Sequence, residues 1–594
     1  MEALLAERNA RGYWEGELAT SALSTATAVT ALAVLGRVRG ETPTAHRRLI
    51  AGGLRWLATH ANADGGWGDT AESFSNLSTT ALGWAALGMA PEDGAEWARP
   101  RAAAERWLRD RLGDLTPDRL TSALVARYGK DKTFAVPILL MCALAGRLGP
   151  TTEAWRHVPQ LPFELAALPA GVFAALRLPV VSYALPALIA IGQARHHRQP
   201  TRGPARWIRN ATRARTLAVL ARIQPPHGGF LEATPLTSFV AMALAEAGQA
   251  EHPVTRRAAR FIEASVRPDG SWPIDTHLAT WVTTLAVNAL GPAGLKALSP
   301  EERTRLREWL VGQQYRQKHP YTNAAPGGWA WTDLPGGVPD ADDTAGALLA
   351  LRVLDDGRAA IRQAAERGIR WLLDLQNRDG GIPTFCRGWT NLPFDRSGAD
   401  LTAHALRAWA AWREQAPGRL GRRLDAARAR AVGFLRRVQR SDGAWLPLWF
   451  GNQHVPDETN ATYGTAKVVR ALAAPWVAAD SRAAGLLAGG VRWLVAAMNP
   501  EGSWGGGEKT PASVEETALA VEALAAHRRR ARDLPGLAPA LARGEAWLER
   551  AVAGGSWRRP APIGFYFARL WYFERLYPLI GTAAAFSVGG EGNC

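Results

Sequence analysis

Three carboxylates lie within four consecutive residues, at Asp340, Asp342 and Asp343. They open the segment Asp-Ala-Asp-Asp-Thr-Ala, just before an apolar run, which places them in the first turn of a predicted helix. One carboxylate is enough to cap a helix, where the helix dipole favours negative charge. Because three carboxylates repel one another, we expect at least one of them to keep its proton at neutral pH. The cluster therefore predicts either a crowded helix cap or an acid held ready for a reaction.

A histidine in the next repeat is the candidate partner of this acid. Aligning Thr344 with Thr402 brings His404 within reach of Asp342. A lone histidine on an apolar helix face is usually a core residue with its hydrogen bonds satisfied. Beside an acid cluster, a cationic imidazole that hydrogen-bonds the unprotonated oxygen makes the carboxylic acid stronger.

A strong acid among apolar and aromatic residues is suited to protonating an unactivated alkene. The carbocation that results needs aromatic faces instead of water around it. No DDxxD-type site for a metal-bound diphosphate accompanies the cluster, so we expect proton-initiated chemistry without a metal or cofactor. The candidate cation-stabilising residues are Trp281, Trp331, Phe385, Trp449, Tyr463, Phe565 and Tyr572.

A repeated pattern must position these residues. An aromatic-aliphatic pair recurs eleven residues before a Gly-Gly-Trp or Gly-Ser-Trp, for example from Trp56 to Trp67 and from Trp493 to Trp504. Each copy predicts an amphipathic outer helix, a turn plugged by the aromatic residue, and an apolar inner helix that starts near a Thr. The repeat tryptophans are predicted to be structural, because each would pack between neighbouring repeats and hold them together. Two helices per repeat predict an all-α protein made of two α/α barrels.

Composition and charge exclude several classes of protein. The 594 residues are 47% hydrophobic and 21% charged, which is typical of a globular chain and excludes a disordered one. The net charge of +16 comes with scattered arginines and without a nucleic-acid-reading motif, so we expect no nucleic-acid partner. Cys142, Cys386 and Cys594 form neither a disulfide framework nor a metal-ligand cluster. We also expect no signal peptide and no membrane-spanning segment, although the unusually apolar region 134–192 leaves contact with a membrane surface open.

Several longer motifs resemble the squalene-hopene cyclase family of class II triterpene cyclases. They are GYWEGEL at 12–18, PDADDTA at 339–345, ADLTAHAL at 399–406, DGAWLPLWFGN and TYGT within 442–465, and PIGFYFARLWYFERLYPLI at 562–580. The acid motif and the repeats together are specific to this family. The repeats alone also occur in protein prenyltransferase β-subunits.

The resemblance implies an organisation and an activity. Residues 1–28 would join a catalytic barrel at 277–594, with a second barrel inserted at 29–276. The expected reaction is protonation of a terminal alkene of squalene and polycyclisation to a hopene-type pentacycle. The resemblance also implies an apolar cavity between the barrels and a monotopic seat on the cytoplasmic face of the cell membrane, and it leaves formation of a homodimer open.

The resemblance also assigns roles to individual residues. Asp342 is the general acid, Asp340 and Asp343 are its carboxylate neighbours, and His404 acidifies Asp342. Trp331 takes the place of a cation-stabilising Phe, Trp281 and Trp449 match cavity tryptophans, Tyr463 matches a hydrogen-bonding tyrosine near the acid, and Phe565 and Tyr572 match the C-terminal aromatic wall. Phe385, Ala561 and Arg569 depart from the usual family residues, and such departures would affect the shape of the cavity.

Other functions stay open at this point. Within the family, the substrate could be a longer or partly cyclised C30–C35 polyprenyl compound. An α/α-barrel glycoside hydrolase needs two separated acids in a polar groove, whereas these acids are contiguous. A prenyltransferase β-subunit needs a Cys/His/Asp zinc set, and a non-catalytic helical-repeat binding protein has no need for the acid cluster.

Overall fold

The computed structural model describes residues 1–90, 94–129, 133–175, 184–388, 394–529, 534–565 and 569–590. Its helices up to residue 276 are α1 (Glu2–Ala6), α2 (Ala22–Arg39), α3 (Thr44–Thr59), α4 (Leu77–Leu87), α5 (Ala95–Leu112), α6 (Pro117–Tyr128), α7 (Ala135–Leu144), α8 (Thr151–Ala154), α9 (Ala170–Ala175), α10 (Leu185–Arg198), α11 (Pro204–Ile223), α12 (Thr234–Leu244) and α13 (Pro253–Ala264). The helices that follow are α14 (Ala279–Gly294), α15 (Pro300–Gly312), α16 (Ala341–Val353), α17 (Ala359–Leu375), α18 (Ala399–Trp412), α19 (Gly418–Val438), α20 (Ala461–Leu472), α21 (Pro475–Ala478), α22 (Ala483–Ala496), α23 (Val514–Arg528), α24 (Leu537–Ala553) and α25 (Tyr577–Gly590). The predicted all-α class is confirmed.

Short strands form three antiparallel pairs. β1 (Thr20–Ser21) pairs with β2 (Trp272–Pro273), β3 (Ile382–Pro383) with β4 (Ser397–Gly398), and β5 (Ile563–Phe565) with β6 (Leu570–Tyr572). Each strand has only two or three residues, so the pairs fasten turns and form no layer of the core.

Two closed rings of inner helices form the architecture. In the first ring α14, α16, α18, α20, α23 and α25 pack side by side, and α25 closes the ring against α14. In the second ring α2, α4, α7, α10 and α12 follow one another, and α12 returns to α2. The outer helices α17, α19, α22 and α24 pack on inner helices of the first ring, and α3, α5, α6 and α13 pack on those of the second. The predicted domain boundaries stay a prediction; α2 spans the one at residue 28, and α14 begins just after the one at 276.

Two hydrogen bonds fix the tryptophan at five of the repeat turns. Trp329 donates from Nε1 to the carbonyl oxygen of Leu310 at 2.8 Å, and its backbone N–H donates to Oγ1 of Thr344 at 3.0 Å. The same two bonds hold Trp67, Trp272, Trp445 and Trp504. In each case the backbone N–H donates to a Thr of an inner helix and the indole N–H donates to a backbone carbonyl oxygen. All of these indoles are buried. The repeat tryptophans are therefore structural, as their spacing predicts.

A glutamine ties each of several turns to the next outer helix. The side-chain amide of Gln376 donates to the carbonyl oxygens of Gly380 in its own turn and of Ala427 in α19. Gln439 does the same with Gly443 and Leu486. The turn itself requires glycine at Gly443, because φ is +96° and a Cβ atom would lie 2.6 Å from the carbonyl oxygen of Gly489.

The amino-terminal segment is fastened to the last part of the chain by Glu574. This side chain is fully buried, and its Oε1 accepts hydrogen bonds from the backbone N–H groups of Glu17 at 2.9 Å and Leu576 at 3.0 Å. Two backbone bonds, from Ala19 to Phe573 and from Arg575 to Glu17, run beside it. Burial raises the pKa of Glu574 to about 7.

This raised pKa predicts a loss of stability with rising pH. Because Glu574 binds its proton more tightly when folded, its contribution is present below about pH 4.5 and is lost as the pH rises through about 7. Glu574→Gln stays neutral and keeps an acceptor for both backbone groups. Between pH 5 and pH 8 we expect the native chain to lose about 3 kcal/mol more stability than this variant, measured by urea unfolding at each pH. An equal loss in both proteins would show that Glu574 does not titrate in this range.

Candidate active site

The carboxylate cluster lies at the amino terminus of α16, where Asp340 is the capping residue. Its Oδ1 accepts hydrogen bonds from the backbone N–H groups of Asp342 and Asp343, each at 2.9 Å. Because Asp340 fulfils the capping role, the other two carboxylates are not needed for it. Capping therefore accounts for one of the three acids.

The structure brings His404 and Asp342 together. Nδ1 of His404, in α18, lies 2.5 Å from Oδ1 of Asp342. The side chain of His404 is 4% exposed and that of Asp342 is 19% exposed, and the exposed part of Asp342 faces a cavity. The pairing arises because α16 and α18 are neighbours in the inner ring and each presents its first turns at the same end.

The three aspartates differ in acidity. Burial, together with the charge and hydrogen bond of Asp340, raises the pKa of Asp343 well above its usual range. Burial also raises the pKa of Asp340 to about 7. Burial raises the pKa of Asp342 too, but the charge and hydrogen bond of His404 outweigh it and bring that pKa below the usual value. Asp343 and Asp340 are thus arranged to hold protons, whereas Asp342 is arranged to release one.

Two ionisable residues beside the pair were missed in the sequence. Asp400 lies one turn before His404, and burial together with the charge of Asp342 raises its pKa to about 7. Lys467 lies one turn after Tyr463 on α20, and its charge contributes to lowering the pKa of Asp342. Both residues stand four positions from a predicted site residue on the same helix, which is the signal that could have found them.

An apolar cavity of about 300 Å³ contains the three aspartates in its wall and extends between the two rings. The second ring contributes Leu23, Pro137, Ala187 and Phe239, from α2, α7, α10 and α12 respectively. Six of the seven predicted aromatic residues line this cavity, namely Trp281, Trp331, Phe385, Trp449, Phe565 and Tyr572.

The aromatic rings form a continuous wall. Trp449 stacks on Phe565 with ring centroids 5.3 Å apart, and Phe565 meets Tyr572 edge to face at 6.1 Å. Phe385 packs edge to face against Trp449 at 6.4 Å. Phe394, Phe450 and Tyr577 also belong to the lining and were not predicted. Such faces can stabilise a cation while excluding water.

The structure places Tyr463 apart from the other six predicted aromatic residues, and its role in the reaction stays a prediction. Tyr463 does not line the main cavity but a separate pocket of about 130 Å³, called the second chamber here, which His404, Arg407 and Lys467 also line. The reason is Phe450, which borders both spaces and packs against the Tyr463 ring at 4.6 Å. Tyr463 is nevertheless close enough to the acid that burial and the charge of Asp342 raise its pKa.

The residues that depart from the family pattern lie in different places. Phe385 lines the main cavity, whereas Ala561 lines the second chamber. Arg569 pairs with Glu458 and is not among the described residues that line the main cavity. Of the three departures, Phe385 is therefore the one placed to affect the shape of the space that a substrate would occupy.

One carboxyl outside the cluster also borders the cavity. Asp275 lines the cavity, and burial together with the charge of Glu232 raises its pKa well above the usual range. No spacing in the sequence links Asp275 to the acid cluster, because it precedes α14 in a turn of its own.

Comparisons with known proteins point to one family. Residues 278–584 match the sequence model of the squalene-hopene cyclase C-terminal domain, and residues 1–143 match that of the N-terminal domain. The squalene–hopene cyclase of Alicyclobacillus acidocaldarius is 27% identical over 527 residues, which cover 80% of this chain and 77% of that enzyme. A terpene cyclase–glycosyl transferase fusion protein of Humicola fuscoatra is 30% identical over 357 residues; the match covers 53% of this chain but only 25% of the fungal protein.

A solved structure has the same fold. The ent-copalyl diphosphate synthase from Streptomyces platensis matches with a TM-score of 0.61 over 99% of this chain and 98% of its own, at 21% sequence identity. At that identity the likeness concerns the arrangement of helices and not the substrate.

Proposed function

The chain belongs to the squalene-hopene cyclase family of class II terpene cyclases, and from this premise we propose that it protonates a terminal alkene of squalene and guides polycyclisation to a hopene-type pentacycle. The observation that carries the proposal is the Asp342–His404 pair in the wall of an otherwise apolar, aromatic cavity. Both the proton and the surroundings that a carbocation needs are then present in one space.

The proposed first step follows from the geometry of the pair. The oxygen of Asp342 that does not contact His404 carries the proton and faces the cavity. Its O–H bond breaks while the electrons of the alkene form a new C–H bond, which leaves a tertiary cation on the substrate. Asp342 becomes a carboxylate, and the hydrogen bond from His404 stabilises that product.

The rest of the cavity favours a hydrocarbon over a charged substrate. Among the described residues that line it there is no Lys, Arg or His, and the second ring supplies aliphatic and aromatic carbon. A diphosphate group buried there would lack the cations that such a group requires. This absence supports squalene as the substrate.

Incubation of the purified protein with squalene in detergent, followed by gas chromatography–mass spectrometry of the neutral lipids, tests the proposal. A pentacyclic hydrocarbon or alcohol that is absent with Asp342→Asn would establish it. Unchanged squalene from folded protein would overturn the substrate assignment. The same assay with longer or partly cyclised C30–C35 polyprenyl compounds would then identify the substrate.

We further propose that the chain rests on the cytoplasmic face of a membrane through an apolar patch formed by Leu165, Leu168, Val172, Trp207 and Ile208. Trp207 is 80% exposed and Ile208 is 55% exposed, although both are large apolar side chains. Two bonds between Arg209 and Glu164, both 3.0 Å, hold the segments that carry the patch together. Exposed arginines on α11 would attract anionic lipids. Among the described helices, none is long and apolar enough to cross a membrane.

Replacing both Trp207 and Ile208 with Asp should weaken membrane binding at least about tenfold, because two apolar anchors are lost and two negative charges are added. Sedimentation with vesicles that contain phosphatidylglycerol measures the effect. Val552→Asp is the matched control, since Val552 is 38% exposed on α24, away from the patch. Equal sedimentation of the double variant and the native chain would show that this patch does not bind the membrane.

A further inference from the structure

The second chamber lies next to the acid site but is separate from the main cavity. His404 borders the chamber, whereas its partner Asp342 borders the main cavity, so the imidazole stands between the two spaces. The volume of about 130 Å³ is far more than the ~15 Å³ that a single water needs. Nothing in the proposed proton transfer uses this space.

Three cationic side chains face the chamber, and two of them lack a partner. Arg470 pairs with Glu522. Arg407 and Lys467 make no hydrogen bond or ion pair with any described residue, and the Lys467 ammonium lies 5.2 Å from the centre of the Tyr463 ring. Because neither the Arg407 guanidinium nor the Lys467 ammonium hydrogen-bonds an anion, an anion that accepts hydrogen bonds from both would be bound with a gain in free energy.

The carboxyl groups of α23 form no ion pair with Arg407 or Lys467. Glu522 forms an ion pair with Arg470. Glu516 accepts hydrogen bonds from the side-chain amides of Asn452 at 3.1 Å and Asn460 at 2.9 Å. Burial raises the pKa of Glu515 to about 8, so this carboxyl is neutral at pH 7. One oxygen of Glu515 accepts from the backbone N–H of Ala561, while the other has no hydrogen-bond partner. Among the described residues, the chamber therefore holds two cations without an ion-pair partner and a buried carboxyl oxygen without a hydrogen-bond partner.

We propose that the second chamber binds a small inorganic oxyanion of the phosphate class between Arg407 and Lys467. A guanidinium group can donate two parallel hydrogen bonds to such an anion, and an ammonium group adds a compact charge. The anion would enter from solvent, because Arg407 and Arg470 also line an open cavity beside Ala410 and Ala473, towards the ends of α18 and α20.

Binding would also regulate the acid, a consequence that rests on the proposed function. A negative charge beside His404 opposes formation of the Asp342 carboxylate and so weakens the acid. A change of one pKa unit would slow initiation about tenfold if proton transfer is rate-limiting. The anion would therefore act as an inhibitor that does not compete with the hydrocarbon substrate.

Calorimetric titration of the purified full chain with inorganic phosphate tests the binding without any substrate. Ionic strength is held constant with chloride. We expect saturable binding to the native chain and binding weakened at least about tenfold in Lys467→Met and in Arg407→Met, because each variant removes one of the two charges. Lys296→Met is the matched control, since Lys296 is an exposed lysine on another segment, and it should bind phosphate as the native chain does.

The outcomes separate this site from the proposed reaction. Absence of saturable phosphate binding, or equal affinity in the native chain and Lys467→Met, would overturn the site whether or not squalene is cyclised. Thermal unfolding in chloride shows whether each variant is folded. If Lys467→Met and Arg407→Met both fail to fold, phosphate-dependent perturbation of the His404 ring signals in NMR spectra of the native chain decides the question, and unmoved signals reject the site.

Discussion

Replacing Asp342 with asparagine should abolish cyclisation while the protein stays folded. The substitution removes the proton and almost no volume, and general acids contribute up to about 10⁴-fold to rates. Folding should be unaffected, because the helix cap is provided by Asp340, and the Asp342 side chain hydrogen-bonds only His404 among the described residues. We expect product formation to fall by at least about 10³-fold, measured as cyclised lipid per enzyme by gas chromatography–mass spectrometry.

Asp343→Asn makes this test specific. In the native chain the pKa of Asp343 is raised well above the usual range, so Asp343 is the competing candidate for the group that carries the reactive proton. If Asp342→Asn still cyclises and Asp343→Asn does not, the donor is Asp343, and the lowered pKa of Asp342 serves another purpose. Thermal unfolding of both variants excludes a loss of fold as the cause.

Replacing His404 with alanine should slow initiation about 100-fold and change its pH dependence. Without His404, only the charge of Lys467 opposes the effect of burial on the pKa of Asp342, so the acid stays protonated to higher pH but gives up its proton less readily. The rate of the variant should therefore be lower wherever the acid is protonated in both proteins, and its decline should begin at a higher pH than in the native chain. Single-turnover rates between pH 5 and pH 8.5 measure both effects.

A second histidine–carboxylate pair provides the control. On the outer helices α3 and α13, which pack on the second ring, His46 lies 2.5 Å from Glu263, and His46 is buried as His404 is. His46→Ala should cost stability yet leave the pH profile unchanged, because its pair does not contact the cavity. An unchanged rate and profile in His404→Ala would return His404 to the role of an ordinary core histidine.

The features that depend on local spacing could be predicted from the sequence. The fold class and the structural role of the tryptophans follow from the repeat, because each turn uses the same bonds as the one between Trp329 and Thr344. Aligning Thr344 with Thr402 was enough to bring His404 to Asp342, since neighbouring inner helices keep the same register.

The features that depend on packing between distant elements could not be predicted. The placement of Tyr463 depends on Phe450, which separates the two spaces and which no motif identifies. Asp275 reaches the cavity from a turn outside the repeat pattern, and its pKa is raised by burial and by the charge of Glu232, which is distant in sequence. The second chamber, with Arg407 and Lys467 in its wall, likewise forms only when α18, α20 and α23 pack together.

The bond between turn and threonine has a consequence for how the active site is organised as a whole. The threonines that accept the bond, among them Thr344, Thr402 and Thr465, are related by the approximate rotational symmetry of the first ring. The acid, its partner and several groups around them occur two residues before or two residues after such a threonine, whereas Asp340, Asp343 and Arg407 do not. The positions before it carry Trp281, Asp342, Asp400, Tyr463 and Glu515, and those after it carry His404 and Lys467. One duplicated unit, diversified at two positions, thus yields a π-face, an acid, a base and a cation facing a common axis, so chemistry in this scaffold can change without moving the backbone.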